Sequence, residues 1–338
     1  MKKRTQLFGI ANIIVMVCIL SLVLIGTGEA KEVKVTFGTT QSASGMYPWL
    51  CAHATEVNKR TKDVYLTAVE SPNAIVENAI RIKAGEMHLG WGGAGAMYRT
   101  MHGLGEFKGK ANPDVRAVAC VIETPFTLFV TKESGIKSIY ELEGKPFGTS
   151  FPGSITALQA RTFFDSIGVK PKFFEAALGA CMEGVRNRTL VGFVKTGAPD
   201  SSILDVASGI PIKILTISKE DYAKYEAKYP DYAEGTCIIR AGTYPGQTED
   251  VLTYTFYGTF QSTAKFSAEA LYQIVKAWYD ARKELGALYA AANKERGELG
   301  FPKLTVETSK VPLHAGAYKF YKELGLSIPE KIIPPEAK

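Results

Sequence analysis

The sequence predicts an α/β fold built mostly from parallel sheets. Strand-like apolar segments alternate with helical segments along most of the chain, which is the order typical of βαβ units. The 338 residues, of which 46% are hydrophobic and 22% charged, are enough for two lobes with their own cores. Ligands bind such folds at the carboxyl ends of strands, so the strand-to-helix connections are the first candidates for a site.

Residues 1–30 have the pattern of a secretory signal peptide. A basic start precedes an apolar stretch at 10–25, and Gly28 and Ala30 are the small residues of a cleavage site after Ala30. We therefore expect export to the periplasm, with an uncleaved N-terminal anchor as the alternative. The formal charge is +6, but the basic residues are scattered rather than clustered, so we expect no nucleic-acid partner.

The connection after the first predicted strand has the features of an anion-binding loop. Residues 35–37 alternate like a strand, and apolar residues recur at helical spacing between 50 and 57. The loop ends in four candidate binding residues, Ser44, Gly45, Met46 and Tyr47. The first amides of the following helix carry a partial positive charge, so the loop could hold an anion. An ordinary connection with a serine cap is the alternative.

Two further connections follow in the first half of the chain. Glu70 ends a second predicted strand, where it could receive a ligand amino group or favour the dipole of the next helix. Residues 89–97 predict a third strand that carries Trp91 and leads through Gly93 into another glycine-rich helix start. Trp91 could face a ligand or pack in the core.

The middle of the chain repeats the arrangement of the first connection. Residues 115–130 indicate two strands that carry the chain from one lobe to the other. A second small-residue loop then precedes a helix and supplies the candidates Gly153, Ser154, Ile155 and Thr156. Because this loop resembles the one at Ser44, the pair suggests a ligand held from two sides.

A third connection faces the same way. The predicted strand at 191–194 is followed by the candidates Thr196, Gly197, Ala198 and Pro199. Pro199 suits the first turn of a helix that ends at Gly209. Lys195, beside these residues, either meets a ligand carboxylate or remains a solvated surface lysine.

The C-terminal part predicts a return crossing and two helices. Residues 254–260 are strand-like, 271–278 define the longest amphipathic helix, and 317–324 define the last one. These elements suggest four parts: a signal peptide (1–30), the start of a first lobe (31–122), a second lobe (123–245), and the return crossing with the remainder of the first lobe and the C-terminal helices (246–338).

The sequence contains no complete catalytic, nucleotide-binding or metal-binding motif. Ser154 lacks the flanking glycines of a nucleophile elbow, and residues 93–98 lack the third glycine of a dinucleotide fingerprint. Cys51 and His53 are two residues apart and do not share a helix face, as two metal ligands would. We therefore expect no enzymatic activity, no cofactor and no metal. The cysteines beyond the signal segment are widely spaced, which favours buried thiols over a disulfide framework; they are Cys51, Cys120, Cys181 and Cys237.

Taken in order, the loops resemble those of the TAXI-type solute receptors of TRAP transporters, which are periplasmic binding proteins. The resembling segments are residues 38–48, 76–86, 134–145, 152–156, 197–199, 241–251 and 312–317. The resemblance implies a two-lobed α/β fold of the periplasmic-binding-protein type II, with crossing strands and a ligand cleft between the lobes. It also implies delivery of the ligand to membrane transporter subunits and no catalytic activity.

The resemblance carries cleft roles to five places in the chain, namely residues 44–47, Glu70, Ser154, Thr156 and residues 196–199. It also reveals departures. Gly93-Ala94-Gly95 replaces a polar run, Ile155 replaces a small residue, and Pro72-Asn73-Ala74 replaces a Thr-Gly-Gly-like turn, so a glutamate-like ligand is not assumed.

The expected function is capture of a small organic acid or amino-acid-like ligand for a TRAP-type transporter. Met46, Trp91 and Ile155 would face the apolar part of an acid that is less polar than glutamate. A receptor for an ABC transporter and an exported α/β enzyme are the alternatives.

Overall fold

The computed structural model describes residues 32–42, 44–289 and 299–337. The predicted signal peptide at 1–30 lies outside the described residues. The strands of the described chain are β1 (Val33–Gly38), β2 (Val64–Val69), β3 (Leu89–Gly93), β4 (Val115–Thr131), β5 (Pro146–Gly148), β6 (Lys172–Phe174), β7 (Gly192–Thr196), β8 (Ile212–Ile214), β9 (Thr236–Ile239) and β10 (Val251–Thr263).

The α-helices of the same residues alternate with these strands and then close the chain. They are α1 (Tyr47–Arg60), α2 (Ala74–Lys83), α3 (Ala94–His102), α4 (Ile155–Ser166), α5 (Leu178–Arg186), α6 (Ser201–Gly209), α7 (Lys219–Lys228), α8 (Ala268–Asp280), α9 (Arg282–Ala287), α10 (Phe301–Thr308) and α11 (Ala315–Glu323). None of the described helices is long and apolar enough to cross a membrane.

The strands form one curled sheet shared by two lobes, in the order β2-β1-β3-β10-β4-β7-β5-β6. Within the first lobe β1 pairs in parallel with β2 and β3, and within the second β5 pairs in parallel with β6 and β7. The long strands β4 and β10 run antiparallel to every strand that they pair with. The fold is therefore the predicted two-lobed α/β type, but its sheet is mixed, because both crossing strands oppose the parallel strands of the lobes.

The first crossing is one strand of 17 residues, β4, where the sequence indicated two. Its residues are almost all buried, as expected for a strand covered on both faces. Pro125 does not interrupt it, because its partner on β10, Thr255, donates its N–H to the Gly235 carbonyl oxygen and the β4–β7 ladder begins one residue later, at Phe126. The return crossing is β10, which pairs with β3 in the first lobe and β9 in the second.

The C-terminal helices pack on the first lobe, which therefore contains both the first and the last elements of the described chain. The predicted apolar face of α8 is buried, and Trp278 packs its ring 4.6 Å from that of Phe260 on β10. The longest described helix is α1, with 14 residues, rather than α8, with 13. Cys120 and Cys181 are buried, as predicted, whereas Cys51 and Cys237 are half-buried.

Candidate ligand-binding cleft

A cleft lies between the two lobes and encloses about 780 Å³, including the part that is open to solvent. The first lobe contributes the end of β1 and the start of α1 through Thr40, Gln41, Ser44 and Met46, the β2–α2 connection at residues 72–75, and Trp91. The second lobe contributes residues 150–151 and 154–156 before and within α4, Leu178, and the end of β7 at 195–196. The crossing strands add Thr124 and Phe256 at the base.

Of the two helix starts predicted to bind a ligand, that of α4 has the standard side-chain cap. Gly153 has a φ of +79°, a conformation that glycine adopts readily, and turns the chain into the helix. Ser154 is the N-cap, and its Oγ accepts a hydrogen bond of 3.2 Å from the Ala157 amide. Thr156, in the first turn, is buried against the cleft.

The start of α1 lies across the cleft from α4 and lacks a side-chain cap. The Ser44 hydroxyl accepts a hydrogen bond of 3.3 Å from the Met46 amide, and the N-cap residue, Met46, makes no side-chain cap. Both predicted small-residue loops therefore reach the same cleft, from opposite lobes. This arrangement leaves helix-start amides and hydroxyls on two sides of the enclosed space.

Lys195 lies at the end of β7 and is the only charged residue among the described residues that line the cleft. Its Nζ is 3.9 Å from Asp200 Oδ2 and donates a hydrogen bond of 3.3 Å to the Thr196 carbonyl oxygen. Asp200 is the N-cap of α6, and its Oδ1 accepts from the amides of Ser202 and Ile203. The sequence had suggested that Pro199 lies in the first turn of this helix. The helix begins at Ser201, so Pro199 precedes the N-cap instead.

Two residues of the cleft wall have an unusual backbone conformation. Among the described residues, three that are not glycine have a positive φ: Ala74 at +43°, Ser150 at +84° and Arg188 at +59°. The first two line the cleft, one from each lobe. Left-handed conformations cost about 1–2 kcal/mol in residues with a β-carbon, and such residues concentrate at functional sites. The backbone therefore marks this cleft as a candidate site independently of its side chains.

The base of the cleft contains a hydroxyl group without a hydrogen-bond partner next to aromatic side chains. Thr124 is buried, and its Oγ1 has no hydrogen-bond partner in the structure. Trp91 lines the cleft and also packs its ring 6.1 Å from Trp49 and 5.6 Å from Phe260. Trp91 is therefore a buried core residue that also borders the cleft, and its contact with a ligand stays a prediction.

The sequence profile of the NMT1-like family matches residues 37–325, which is most of the chain. The chain belongs to the NMT1-like family. The match does not distinguish between classes of transporter, so the resemblance to TAXI-type receptors remains a hypothesis.

The NMT1-like chain is also similar to several solved structures. The periplasmic aliphatic sulphonate binding protein SsuA from Escherichia coli shares 13% identity at a TM-score of 0.46, over 88% of this chain and 89% of that one. The alkanesulfonate-binding protein SsuA from Xanthomonas axonopodis pv. citri, bound to MOPS, shares 15% identity at a TM-score of 0.45, over 87% and 92%. XAC2383 from Xanthomonas citri, bound to ATP, shares 9% identity at a TM-score of 0.47, over 87% and 96%.

Gly93 was expected at the cleft, but in the NMT1-like chain it does not line it. A β-carbon at Gly93 would overlap the Phe256 ring, so this glycine allows a strand and an aromatic side chain to pack closely. The following helix start is already occupied, because the buried Glu234 carboxylate accepts hydrogen bonds from the amides of Gly95, at 3.1 Å, and Tyr257, at 2.9 Å. Burial raises the pKa of Glu234.

Glu70 was also expected at the cleft but is not among the described residues that line it. Its Oε1 accepts a hydrogen bond of 2.7 Å from the Ser42 amide, which lowers the pKa of this exposed carboxyl group. Glu70 therefore fixes the β1–α1 loop, and its carboxylate already has this partner. Tyr47, near Cys51 on the first turn of α1, likewise does not line the cleft.

The remaining predicted residues that do not line the cleft have structural roles. The Gly197 carbonyl oxygen accepts hydrogen bonds from Thr127 Oγ1 and from the Tyr244 hydroxyl, so residues 197–199 are tied to the back of the second lobe. Gly153 forms the turn before α4, and a β-carbon on Gly45 would lie 3.2 Å from Ser201 Oγ in the opposite lobe.

Sequence reasoning missed the lining residues at 40–41, 72–75 and 150–151, although all follow the carboxyl ends of the parallel strands β1, β2 and β5. The strand-end rule could have identified them. Thr124 and Phe256 carry no local signal, because they reach the cleft only through the pairing of β4 with β10. No group of three or more histidine, cysteine, aspartate or glutamate residues within the described chain could hold a metal ion.

Proposed function

We propose that this chain is an extracytoplasmic solute-binding protein that captures a small organic acid between its lobes and passes it to a membrane transporter. The observation that carries the proposal is the cleft itself, which both lobes line and in which Lys195 is the only charged side chain among the described lining residues. A cationic group beside two helix starts favours an anionic ligand. The proposed lobe boundaries lie near residues 122 and 245.

The proposed binding residues are those that line the cleft from opposite sides. Hydroxyl groups of Ser44, Ser154 and Thr156 flank the helix starts, and Lys195 lies at the end of β7. The body of the acid would contact the apolar residues Met46, Ile75, Trp91, Ile155, Leu178 and Phe256. The lining also includes uncharged polar side chains such as Gln41 and Asn73, so it suits a ligand that is anionic at one end and uncharged elsewhere.

An enzymatic function has less support. No aspartate, glutamate, histidine or cysteine is found among the described residues that line the cleft. These are the side chains that most often act as general bases or as activated nucleophiles near neutral pH. A receptor, in contrast, requires only complementary contacts to the bound molecule.

The class of transporter is a separate part of the proposal. Motif order along the sequence favours a TRAP-type partner, whereas an ABC transporter suits a binding protein of the NMT1-like family at least as well. Uptake of the identified acid by cells that carry the receptor and its transporter distinguishes the two. Uptake that stops when ion gradients collapse while ATP is maintained favours TRAP; uptake that stops when ATP is depleted while gradients are maintained favours ABC.

Titration calorimetry with a library of organic acids tests the receptor function. We expect saturable binding with one site per chain and recovery of the compound unchanged after prolonged incubation. An affinity in the micromolar range corresponds to about −8 kcal/mol, which is reasonable for a ligand of roughly ten heavy atoms. Chemical conversion of the bound compound by the purified chain would contradict the receptor function and indicate an enzyme.

A further inference from the structure

We propose that Lys195 is the counter-ion of the ligand, and that the cleft selects monoanions that carry no ammonium group. The inference rests on the proposed receptor function and narrows it to a class of compound. It excludes free amino acids, which a cleft that merely binds carboxylates would accept.

Lys195 is placed to receive an anion because its present partners satisfy it poorly. Its side chain is 18% exposed, and its nearest carboxylate oxygen, Asp200 Oδ2, is 3.9 Å away. That separation is longer than the 2.7–2.9 Å typical of a charge-assisted hydrogen bond. The remaining contacts of Nζ are to uncharged oxygens of Thr196, at 3.3 and 3.5 Å. A ligand carboxylate in the cleft would supply the short charged contact that the structure lacks.

Asp200 is held in place and is not positioned to follow the lysine. Its Oδ1 accepts from the amides of Ser202 and Ile203 and from the Ser202 hydroxyl, all at the start of α6. These cap bonds stabilise the helix and fix the carboxylate. Asp200 therefore orients Lys195 from behind, while the ammonium group of the lysine borders the cleft.

An ammonium group on the ligand would find no free carboxylate. The described residues that line the cleft include no carboxylate, and the three nearby candidates are engaged elsewhere. Asp200 caps α6 and lies 3.9 Å from Lys195. Glu70 accepts a hydrogen bond from the Ser42 amide, and Glu234 accepts hydrogen bonds from the Gly95 and Tyr257 amides. A buried cation without a partner loses its hydration with no compensation, so the zwitterion of an amino acid would be rejected.

A second carboxylate on the ligand would be rejected for the same reason. With Lys195 engaged, the rest of the described wall offers apolar side chains and uncharged polar ones such as Gln41 and Asn73, but no second cation. Among its hydroxyl groups, Thr124 Oγ1 is buried at the cleft base without a hydrogen-bond partner. One uncharged oxygen on the ligand body, such as an oxo or hydroxyl group, would satisfy it. The expected class is therefore a monocarboxylate with an uncharged body that carries at least one neutral oxygen.

Matched compound sets on the same carbon skeletons test this class in the full chain. The monocarboxylates are 4-methyl-2-oxopentanoate, phenylpyruvate and their homologues. The comparison sets are the corresponding α-amino acids, including leucine and phenylalanine, the corresponding primary amides, and dicarboxylates such as glutarate. Thermal shift ranks the sets, and calorimetry measures the best compounds against wild type, Lys195→Met and Lys195→Arg. Lys213→Met, on the exposed face of β8, is the matched control.

We expect the strongest stabilisers to be monocarboxylates and their affinity to fall about 10- to 100-fold in Lys195→Met, with partial recovery in Lys195→Arg and no change in Lys213→Met. Strongest binding by amino acids, amides or dicarboxylates, or equal affinity in Lys195→Met, would overturn this inference and leave the receptor function standing. Failure of every set to bind wild type would overturn the receptor function, and the inference with it.

Discussion

Ser201 Oγ lies 3.2 Å from the position that a β-carbon on Gly45 would occupy. Gly45 belongs to the loop before α1 in the first lobe, and Ser201 is the first residue of α6 in the second. The two lobes therefore approach each other at the rim of the cleft, at a point where only hydrogen atoms of the glycine fit without adjustment. A two-lobed receptor needs such a contact in its closed form and loses it on opening.

A side chain at Gly45 should oppose closure without harming the folded lobes. For Gly45→Val we expect the affinity for the bound acid to fall at least about tenfold, because the added methyl groups meet Ser201. The free energy of unfolding should change by less than about 0.5 kcal/mol, since both residues are exposed. Calorimetry and chemical denaturation measure the two quantities.

The matched control for this variant is Gly179→Val, because Gly179 is exposed and a β-carbon there meets nothing within 4 Å. Small-angle scattering in the presence of the acid should show a larger radius of gyration for Gly45→Val than for this control. Identical affinity and identical scattering curves for the two variants would show that the rim contact plays no part in closure.

Ser154 should contribute to both folding and binding, and the two contributions can be separated. Its Oγ caps α4 through the Ala157 amide, so Ser154→Ala should lower the free energy of unfolding by about 1 kcal/mol. If the hydroxyl also contacts a carboxylate, affinity should fall by a further amount on the order of 1.5–3 kcal/mol. Chemical denaturation and calorimetry on the same samples provide both numbers.

Ser267→Ala is the control, since Ser267 caps α8 through the Ala270 amide at the same distance of 3.2 Å, outside the cleft. It should lose a similar amount of folding free energy and keep full affinity. Loss of stability without loss of affinity in Ser154→Ala would show that Ser154 only caps the helix and does not contact the ligand.

Local patterns predicted the helix starts at the cleft, and tertiary contacts account for what they missed. The loops at Ser44 and Ser154 combine small residues with the apolar spacing of a helix, and both signals lie within a few positions. Gly93 was misjudged because the group that occupies the neighbouring helix start, Glu234, is 139 positions away from Gly95 in the sequence. No local pattern reports such a contact, nor the pairing of β4 with β10 that brings Thr124 to the cleft base.

The left-handed backbone at Ser150 should cost stability that glycine would restore. Ser150→Gly should raise the free energy of unfolding by up to about 1 kcal/mol, because glycine adopts a φ of +84° without strain, although it also gains freedom in the unfolded chain. Affinity should fall several-fold, since the variant removes a cleft side chain and loosens the connection before α4. Chemical denaturation measures the gain in unfolding free energy, and calorimetry measures the loss of affinity.

Arg188→Gly is the control for the backbone effect alone. Arg188 has a φ of +59° and does not line the cleft, so the variant should gain stability with unchanged affinity. Parallel changes in affinity for both variants would point to a general loosening of the second lobe rather than to a role of Ser150.

Stability should decline on acidification because two histidines are buried in neutral form. Burial lowers the pKa of His53 to about 4 and that of His314 to about 4, against 6.5 in the unfolded chain. The unfolded state therefore binds more protons between these values, and stability is lost as pH falls from about 6.5 to about 4. Each histidine contributes on the order of 3 kcal/mol across this window.

His53→Phe keeps the ring contacts to Trp49, Phe260 and Trp278 and removes the titration. The slope of unfolding free energy against pH should fall by the contribution of one histidine between pH 6.5 and 4, while that of His314 remains. His102→Phe, at an exposed position, should leave the slope unchanged. A wild-type slope retained in His53→Phe would show that His53 does not cause the acid sensitivity.

Native mass spectrometry of the chain, purified without added ligand and then exposed to the matched compound sets, tests the central claim most directly. We predict a complex of one chain with one monocarboxylate, retained as the intact acid on release and absent from Lys195→Met. A complex with an amine or a chemically altered product, or a wild-type chain that takes up no acid from any set, would contradict the account.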